Sequence, residues 1–155
     1  MGYSIIQGDI IKIRCDAIVN AANSTLLGGG GVDGAIHKAA GPGLLWECMK
    51  LGGCKPGQAK LTKGYRLPCK YVIHTVGPKW KGGKSGEVEI LSSCFRESLR
   101  IANEVDCSSI SFPLIGAGIY GCPKEWVIDI ATREITTFLE SSDMDVYLIE
   151  YKTTI

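Results

Sequence analysis

The stretch Ile18–Gly41, I-V-N-A-A-N-S-T-L-L-G-G-G-G-V-D-G-A-I-H-K-A-A-G, decides how this chain is read. It opens inside a small and β-branched run, Ala17 to Ala21, that predicts a buried strand. Asn20 and Asn23 close that strand, and four consecutive glycines follow, Gly28 to Gly31. Asp33 stands next. Gly34 to Ala40 then predicts a helix, broken by Gly41-Pro42-Gly43. A strand that passes through a glycine loop into a helix exposes backbone N–H groups near the helix N-terminus, and such groups bind anions.

Outward from this stretch the pattern recurs. Upstream, Tyr3 to Gln7 predicts a strand, ended by Gly8-Asp9, with Ile10 to Ile13 as a short connection. Downstream, Leu44 to Leu51 predicts a helix closed by Gly52-Gly53. Gln58 to Lys63 and Tyr71 to Val76 read as strands, and Trp80 to Gly86 as a Gly/Lys-rich loop. Leu91, Cys94, Phe95, Ser98, Leu99 and Ala102 share one face of a helix. Ser109 to Pro113 is a strand running into a second glycine loop, L-I-G-A-G-I-Y-G-C-P, Leu114 to Pro123. Pro123 suits the first turn of the next helix, whose inner face is Val127, Ala131, Ile135, Phe138 and Leu139. Asp145 to Tyr151 is the last strand.

Strands that alternate with helices give the α/β class with a layered sheet. Ligands of such sheets bind outside the carboxyl ends of the strands. Two glycine loops in equivalent strand-to-helix positions make a cleft walled by N–H groups, which suits a diphosphate. Neither loop is a Walker A motif, since Gly83-Lys84-Ser85 lacks the upstream glycine spacing. Neither is a Rossmann fingerprint, because Gly28 to Gly34 does not follow directly on the strand.

Composition sets further bounds. The 155 residues fit one domain, 1–155. Seventeen basic and sixteen acidic residues leave a net charge of +1, which argues against a large nucleic-acid footprint. Seven cysteines, odd in number, irregularly spaced and without C-x-x-C, argue against a disulfide framework and a paired-cysteine zinc site. Reduced, mostly buried thiols and a cytoplasmic location are expected. No apolar run is long enough to span a membrane, and no signal peptide is seen. No metal or cofactor is expected.

Several side chains near the loops carry candidate chemistry. The Asn20 and Asn23 amides can bond a ribose hydroxyl or the backbone of the glycine loop. Asp33 reads either as a helix N-cap or as an acid that orients a ribose or accepts a proton from water. His37, four residues on, shares its helix face. His74 reads as core, and Trp46, Trp80 and Trp126 read as packing. Tyr120 can pack on a sugar, and Tyr151 can stack on a base or pack at the sheet edge. No Ser-His-Asp or Cys-His arrangement points to covalent catalysis.

Taken together, G-D-I (Gly8 to Ile10), D-A-I-V-N-A-A-N (Asp16 to Asn23), L-L-G-G-G-G-V-D-G-A-I-H-K-A-A-G (Leu26 to Gly41), Y-V-I-H-T-V-G-P (Tyr71 to Pro78) and F-P-L-I-G-A-G-I-Y-G-C-P (Phe112 to Pro123) resemble the macro domain, most of all its MacroD-type branch of ADP-ribose hydrolases. The likeness covers nearly the whole chain. It implies a three-layer α/β/α sandwich with a mixed, mostly parallel central sheet. It implies that Asp9 takes the adenine amino group with Ile10 beside it, and that Tyr151 stacks near the adenine. Gly30, Gly31 and Val32 would form one phosphate loop, and Gly116, Ala117, Gly118, Ile119 and Tyr120 the other. Asn23 would hold the distal ribose and Asp33 would be the catalytic acid, supported by Asn20 and His37. The implied reaction removes mono-ADP-ribose from acidic side chains of proteins or deacetylates O-acetyl-ADP-ribose; the base is Asp33 or a substrate phosphate. A monomer is expected. The alternative is a reader that binds ADP-ribosylated proteins without turnover. Two departures stand out: the branch usually has I-S-T-G where this chain has I-G-A-G, Ile115 to Gly118, and a family helix after the last strand has no counterpart in the four residues after Tyr151.

Overall fold

The computed structural model describes residues 2–152; positions 153–155, where the family's last helix would begin, lie outside them. The strands are β1 (Gly2–Gly8), β2 (Ala17–Ala21), β3 (Ala59–Lys63), β4 (Tyr71–Thr75), β5 (Ser109–Pro113) and β6 (Asp145–Tyr151). The helices are α1 (Gly31–Ala40), α2 (Pro42–Leu51), α3 (Glu87–Glu104) and α4 (Lys124–Leu139), with one 3₁₀ turn at Ile10–Lys12. The sheet runs β1-β6-β5-β2-β4-β3. Every pairing is parallel except β3 with β4, so the sheet is mixed and mostly parallel, as expected.

Side-chain alternation along the strands makes the three layers. Ala17 and Val19 of β2 pack with α3 and α4, around Phe95, Phe112 and Ile135. Ile18 faces the opposite way, into a second core with Ile36 of α1, Leu44 of α2 and Val72 of β4. The period of two therefore sends Asn20 and His74, which follow Ile18 and Val72 by two residues, to the α1–α2 side. Strands β2 and β5 are neighbours, so their glycine loops emerge side by side at one sheet edge. This is the position where parallel α/β sheets hold ligands.

The helix starts depart from expectation. Helix α1 begins at Gly31, three residues before Gly34, with Gly30 as an N-cap that has no side chain to give. Gly31 adopts φ +59°, a left-handed value that glycine takes freely. Asp33 is therefore inside the first turn and is not the N-cap. Helix α2 begins at Pro42, at its first position, where a missing N–H costs nothing, so Gly41-Pro42-Gly43 separates two helices by a single residue. Trp80 and Trp126 pack edge to face with ring centroids 4.9 Å apart. Trp46 does not pack: it is 64% exposed, because Leu44 and Cys48 take the inner face of α2 and turn it outward. All seven cysteines are free thiols, six buried and Cys69 partly so.

Candidate functional site

A cleft of about 730 Å³ opens at the carboxyl edge of the sheet. Its floor is the ends of β2 and β5, with Ala21, Ala22 and Pro113; its far end is Asp9, Ile10, Ile149, Glu150 and Tyr151. The walls are the two glycine loops, Gly29 to Val32 and Gly116 to Tyr120. This volume lies within the range of ordinary small-molecule sites.

The first wall presents unsatisfied donors. Gly34 N–H is the first of α1 to close on a carbonyl, that of Gly30, at 3.4 Å. The N–H groups of Gly30, Gly31 and Val32 make no backbone bond among the described residues. They lie at the positive end of the helix macrodipole with no side-chain cap in competition. In the second wall the N–H groups of Gly116, Gly118, Ile119 and Tyr120 are likewise unused among the described residues. That loop is held from behind. Cys122 N donates to Gly116 O at 2.9 Å, Ala117 N to Leu114 O at 3.1 Å, and Trp80 N to Tyr120 O at 2.9 Å. Gly116 has φ +82°, and a Cβ there would lie 3.0 Å from Cys122 Sγ. The I-G-A-G departure thus puts a glycine where a side chain would be strained.

The two walls touch at their rims, since a Cβ on Gly30 would meet Ile119 Cδ1 at 3.1 Å. Lys79 lies 5.7 Å above the Tyr120 ring, a cation–π contact at the cleft's edge. Glu87 organises the Trp80–Gly86 loop that buttresses this wall. Its buried carboxylate accepts from Lys81 N at 2.8 Å, Gly83 N at 2.9 Å and Ser85 N at 2.6 Å. Desolvation pushes the Glu87 carboxyl up, but these N–H groups outweigh it and hold it near 2.

Asp33 and the asparagines lie at the inner end. Asp33 is 4% exposed yet borders the cleft. Its Oδ1 accepts from Asn20 Nδ2 at 2.9 Å and lies 3.5 Å from His37 Nε2. Its Oδ2 lies against Gly29, 3.1 Å from where a Cβ would be, and is the oxygen left for a ligand. Burial raises the Asp33 carboxyl above its ordinary range, against the Asn20 bond and His37, which favour its ionised form. Asn23 Nδ2 donates to Gly28 O at 3.0 Å, and its Oδ1 accepts from Thr25 N and Thr25 Oγ1. Asn23 thus pins the glycine loop and retains one amide N–H at the cleft surface.

Each residue expected to bind ligand borders this cleft: Asp9, Ile10, Asn23, Gly30, Gly31, Val32, Gly116, Ala117, Gly118, Ile119, Tyr120 and Tyr151. Asp9 also caps the 3₁₀ turn, accepting from Ile11 N at 3.3 Å. Asn20 and His37 do not line the cleft. The expectation that Asn20 bonds a ribose or the glycine loop is corrected: it is fully buried, and its amide nitrogen is shared between Asp33 and His74 Nδ1, at 3.1 Å. His74 is buried, as expected, but is polar and bonded rather than inert core. Lys124, Glu150 and Gly77 border the cleft without having been singled out in the sequence. Lys124 Nζ pairs with Glu150 Oε2 across it. The pairing of α4's first residue with the penultimate one of β6 has no local signature. Among the described residues, no cluster of ligating side chains could hold a metal, and no helix is long and apolar enough to cross a membrane.

Comparison with known proteins agrees with this geometry. The Macro domain family model matches residues 19–131. A macro domain-containing protein of Methanosarcina mazei is 56% identical over 149 residues, covering 95% of this chain and 80% of that protein. Human ADP-ribose glycohydrolase MACROD2 is 51% identical over 144 residues, covering 92% of this chain; the chain spans 34% of that protein. The Oceanobacillus iheyensis macrodomain solved with ADP superposes with a TM-score of 0.92 at 40% identity, over 97% of this chain and 83% of that one. With a family model that spans most of its length, a relative more than half identical and a superposable solved fold, this chain belongs to the macro domain family.

Proposed function

We propose that this chain binds ADP-ribose in the cleft and hydrolyses the ester that joins it to an acidic side chain of a protein, or to acetate in O-acetyl-ADP-ribose. The observation that carries the reading is Asp33: a buried carboxylate with one oxygen held by Asn20 and the other open beside a wall of free N–H groups. The N–H groups of the two loops bind the diphosphate. Tyr151 and Asp9 take the adenine end, and Asn23 the distal ribose. Asp33 Oδ2 orients a water against the ester carbonyl and accepts its proton as the C–O bond forms. The tetrahedral adduct then collapses, the ribose oxygen leaves with the proton, and a free carboxylate and ADP-ribose result. A carboxylate with a raised pKa suits this work because it accepts a proton from water more readily than an ordinary aspartate. A relative named an ADP-ribose glycohydrolase and a similar macrodomain solved with ADP support the choice of an ADP-ribose-directed hydrolase.

The test is release of ADP-ribose from a protein modified on Glu or Asp, with wild type and Asp33→Ala side by side and binding measured by calorimetry. Binding by both, with release by wild type alone, is expected. Wild-type binding without release leaves a reader module. No binding by either removes both readings.

A further inference from the structure

A polar chain crosses the buried side of the sheet behind Asp33. Asn20 on β2, His74 on β4 and Thr62 on β3 are 0%, 0% and 2% exposed. Asn20 and His74 are register partners on adjacent parallel strands, and Thr62 pairs with Val72, two residues before His74. The bonds run from Asp33 Oδ1 to Asn20 Nδ2 at 2.9 Å, to His74 Nδ1 at 3.1 Å, and from His74 Nε2 to Thr62 Oγ1 at 2.9 Å. Buried polar side chains cost stability unless they are hydrogen-bonded, and these three bond to one another and to Asp33. The chain ends on Asp33, a buried carboxylate that borders the cleft.

The arrangement admits one assignment of hydrogens. Asn20 Nδ2 carries two N–H bonds, one for Asp33 and one for His74. His74 Nδ1 must then be the bare, accepting nitrogen, and Nε2 must carry the proton. Thr62 Oγ1 can take that Nε2–H, because its own hydroxyl has the Lys63 carbonyl to donate to at 3.1 Å. The other tautomer reverses everything: an Nδ1–H would require the Asn20 oxygen, and turning the amide would set that oxygen against the Asp33 carboxylate. The groups facing His74 from the surrounding elements are Asn20 on β2, Thr62 on β3, Cys48 on α2, whose Sγ is 3.7 Å from Nε2, and His37 on α1, with rings 6.4 Å apart. None is a carboxylate, and burial pushes the Cys48 thiol up to about 11, so nothing draws a second proton onto the ring.

We propose that His74 is a positioning residue: held in its Nε2–H tautomer by Thr62, it fixes the Asn20 amide so that an N–H always faces Asp33 and turns the other carboxylate oxygen to the cleft. The catalytic consequence rests on the hydrolase reading above; the orientation of Asp33 does not. Burial keeps the His74 ring neutral, with an ionisation lowered to about 3, so the tautomer holds through the neutral range.

The experiment has two readouts on wild type, His74→Leu, His74→Asn and Thr62→Val. The first is independent of turnover: ring-nitrogen NMR of His74 and the titration of the Asp33 carboxyl carbon. Wild-type His74 is expected to be protonated on Nε2 alone. Asp33 is expected to titrate higher in His74→Leu, which frees the Asn20 amide to turn, and to move back toward wild type in His74→Asn, whose oxygen can stand in for Nδ1. Thr62→Val moves Asp33 in the same direction as His74→Leu, by less. The second readout is kinetic. His74→Leu lowers kcat at least tenfold at unchanged ADP-ribose affinity, and His74→Asn recovers most of it. A proton on Nδ1 in wild type, or an Asp33 titration that His74→Leu leaves in place, overturns the proposal. A wild type with no turnover removes the hydrolase reading but leaves the titration to decide the positioning role. Where His74→Leu fails to fold, Thr62→Val with the wild-type tautomer decides it alone.

Discussion

Gly34→Ala sets two physical rules against each other. Gly34 lies inside α1, where replacing glycine by alanine ordinarily stabilises a helix by about 1 kcal/mol. Here the new Cβ would lie 2.4 Å from the Gly29 carbonyl oxygen. An ordinary C···O contact needs about 3.3 Å, so the carbonyl must retreat by about 0.9 Å. The obstacle is backbone, and Gly29 has little freedom: Asp33 Oδ2 and Asn23 Nδ2 lie 3.1 and 3.3 Å from its own Cβ position. Overpacking of this kind costs about 1–3 kcal/mol, so the helix gain is outweighed and the net loss is near 1 kcal/mol. For a chain of this size that lowers Tm by about 2–4 °C. The effect on the cleft is larger. Gly29 leads directly into the Gly30, Gly31 and Val32 donors, and losing one charge-assisted hydrogen bond costs about 1.5–3 kcal/mol, so ADP-ribose affinity falls by about tenfold or more. Thermal melts and calorimetric titration with ADP-ribose measure both. A variant that melts higher than wild type and binds as tightly refutes the claim that the α1 start is set by contact with Gly29.

Two further predictions concern pH. His74 ionises near 3 in the fold against an ordinary 6.5, because burial penalises its charged form; the unfolded chain therefore takes up the proton first, and stability present above pH 6.5 is lost progressively as pH falls toward 3. Urea unfolding at pH 7, 5 and 4 measures this, and a His74→Leu variant whose acid dependence equals that of wild type refutes it. Asp33 shifts the other way from a salt-bridged acid: burial raises its carboxyl, so ionising it as pH climbs past the ordinary 3.8 costs stability. Asp33→Asn should accordingly be more stable than wild type at pH 7, with the gap closing below 3.8, and a wild type more stable than the variant at pH 7 in denaturant unfolding overturns that assignment.

What the sequence reveals follows the range of the interactions concerned. The bounds of β2, β5 and β6 coincide with the stretches read as strands, because short apolar runs bracketed by polar or glycine turns have few other uses. Both glycine loops are legible for the same local reason. The start of α1 is not, because its first turn is built from glycine and the N-cap, Gly30, has no side chain to announce it. The cap alternative for Asp33 followed from that error: an aspartate beside a helix start is ordinarily a cap, and only the three-residue shift turns it inward to Asn20. Trp46 fails for a different reason. Helical periodicity says which residues share a face, but not that Leu44 and Cys48 suffice to fill the inner face of a short helix.

The polar chain behind Asp33 marks the limit of reading one residue at a time. Asn20, His74 and Thr62 each have a bland meaning alone: an asparagine near a turn, a histidine in a core strand, a threonine on a strand. Their joint meaning depends on two registers, β2 with β4 in parallel and β4 with β3 antiparallel, and on the face that each side chain takes. A slip of one residue between β2 and β4 would send His74 to the α3 side and leave Asn20 with a single partner, and one between β4 and β3 would take Thr62 away from His74 Nε2. The Asp33 end of the cleft is thus specified by the pairing order of the sheet as well as by the glycine loops. That order also explains why the acid can be so deeply placed: an aspartate 4% exposed keeps a defined orientation only if something behind it is equally defined. The loops decide where a diphosphate can lie; β3, β4 and β2, acting through three buried side chains, decide which way the carboxylate beside it faces.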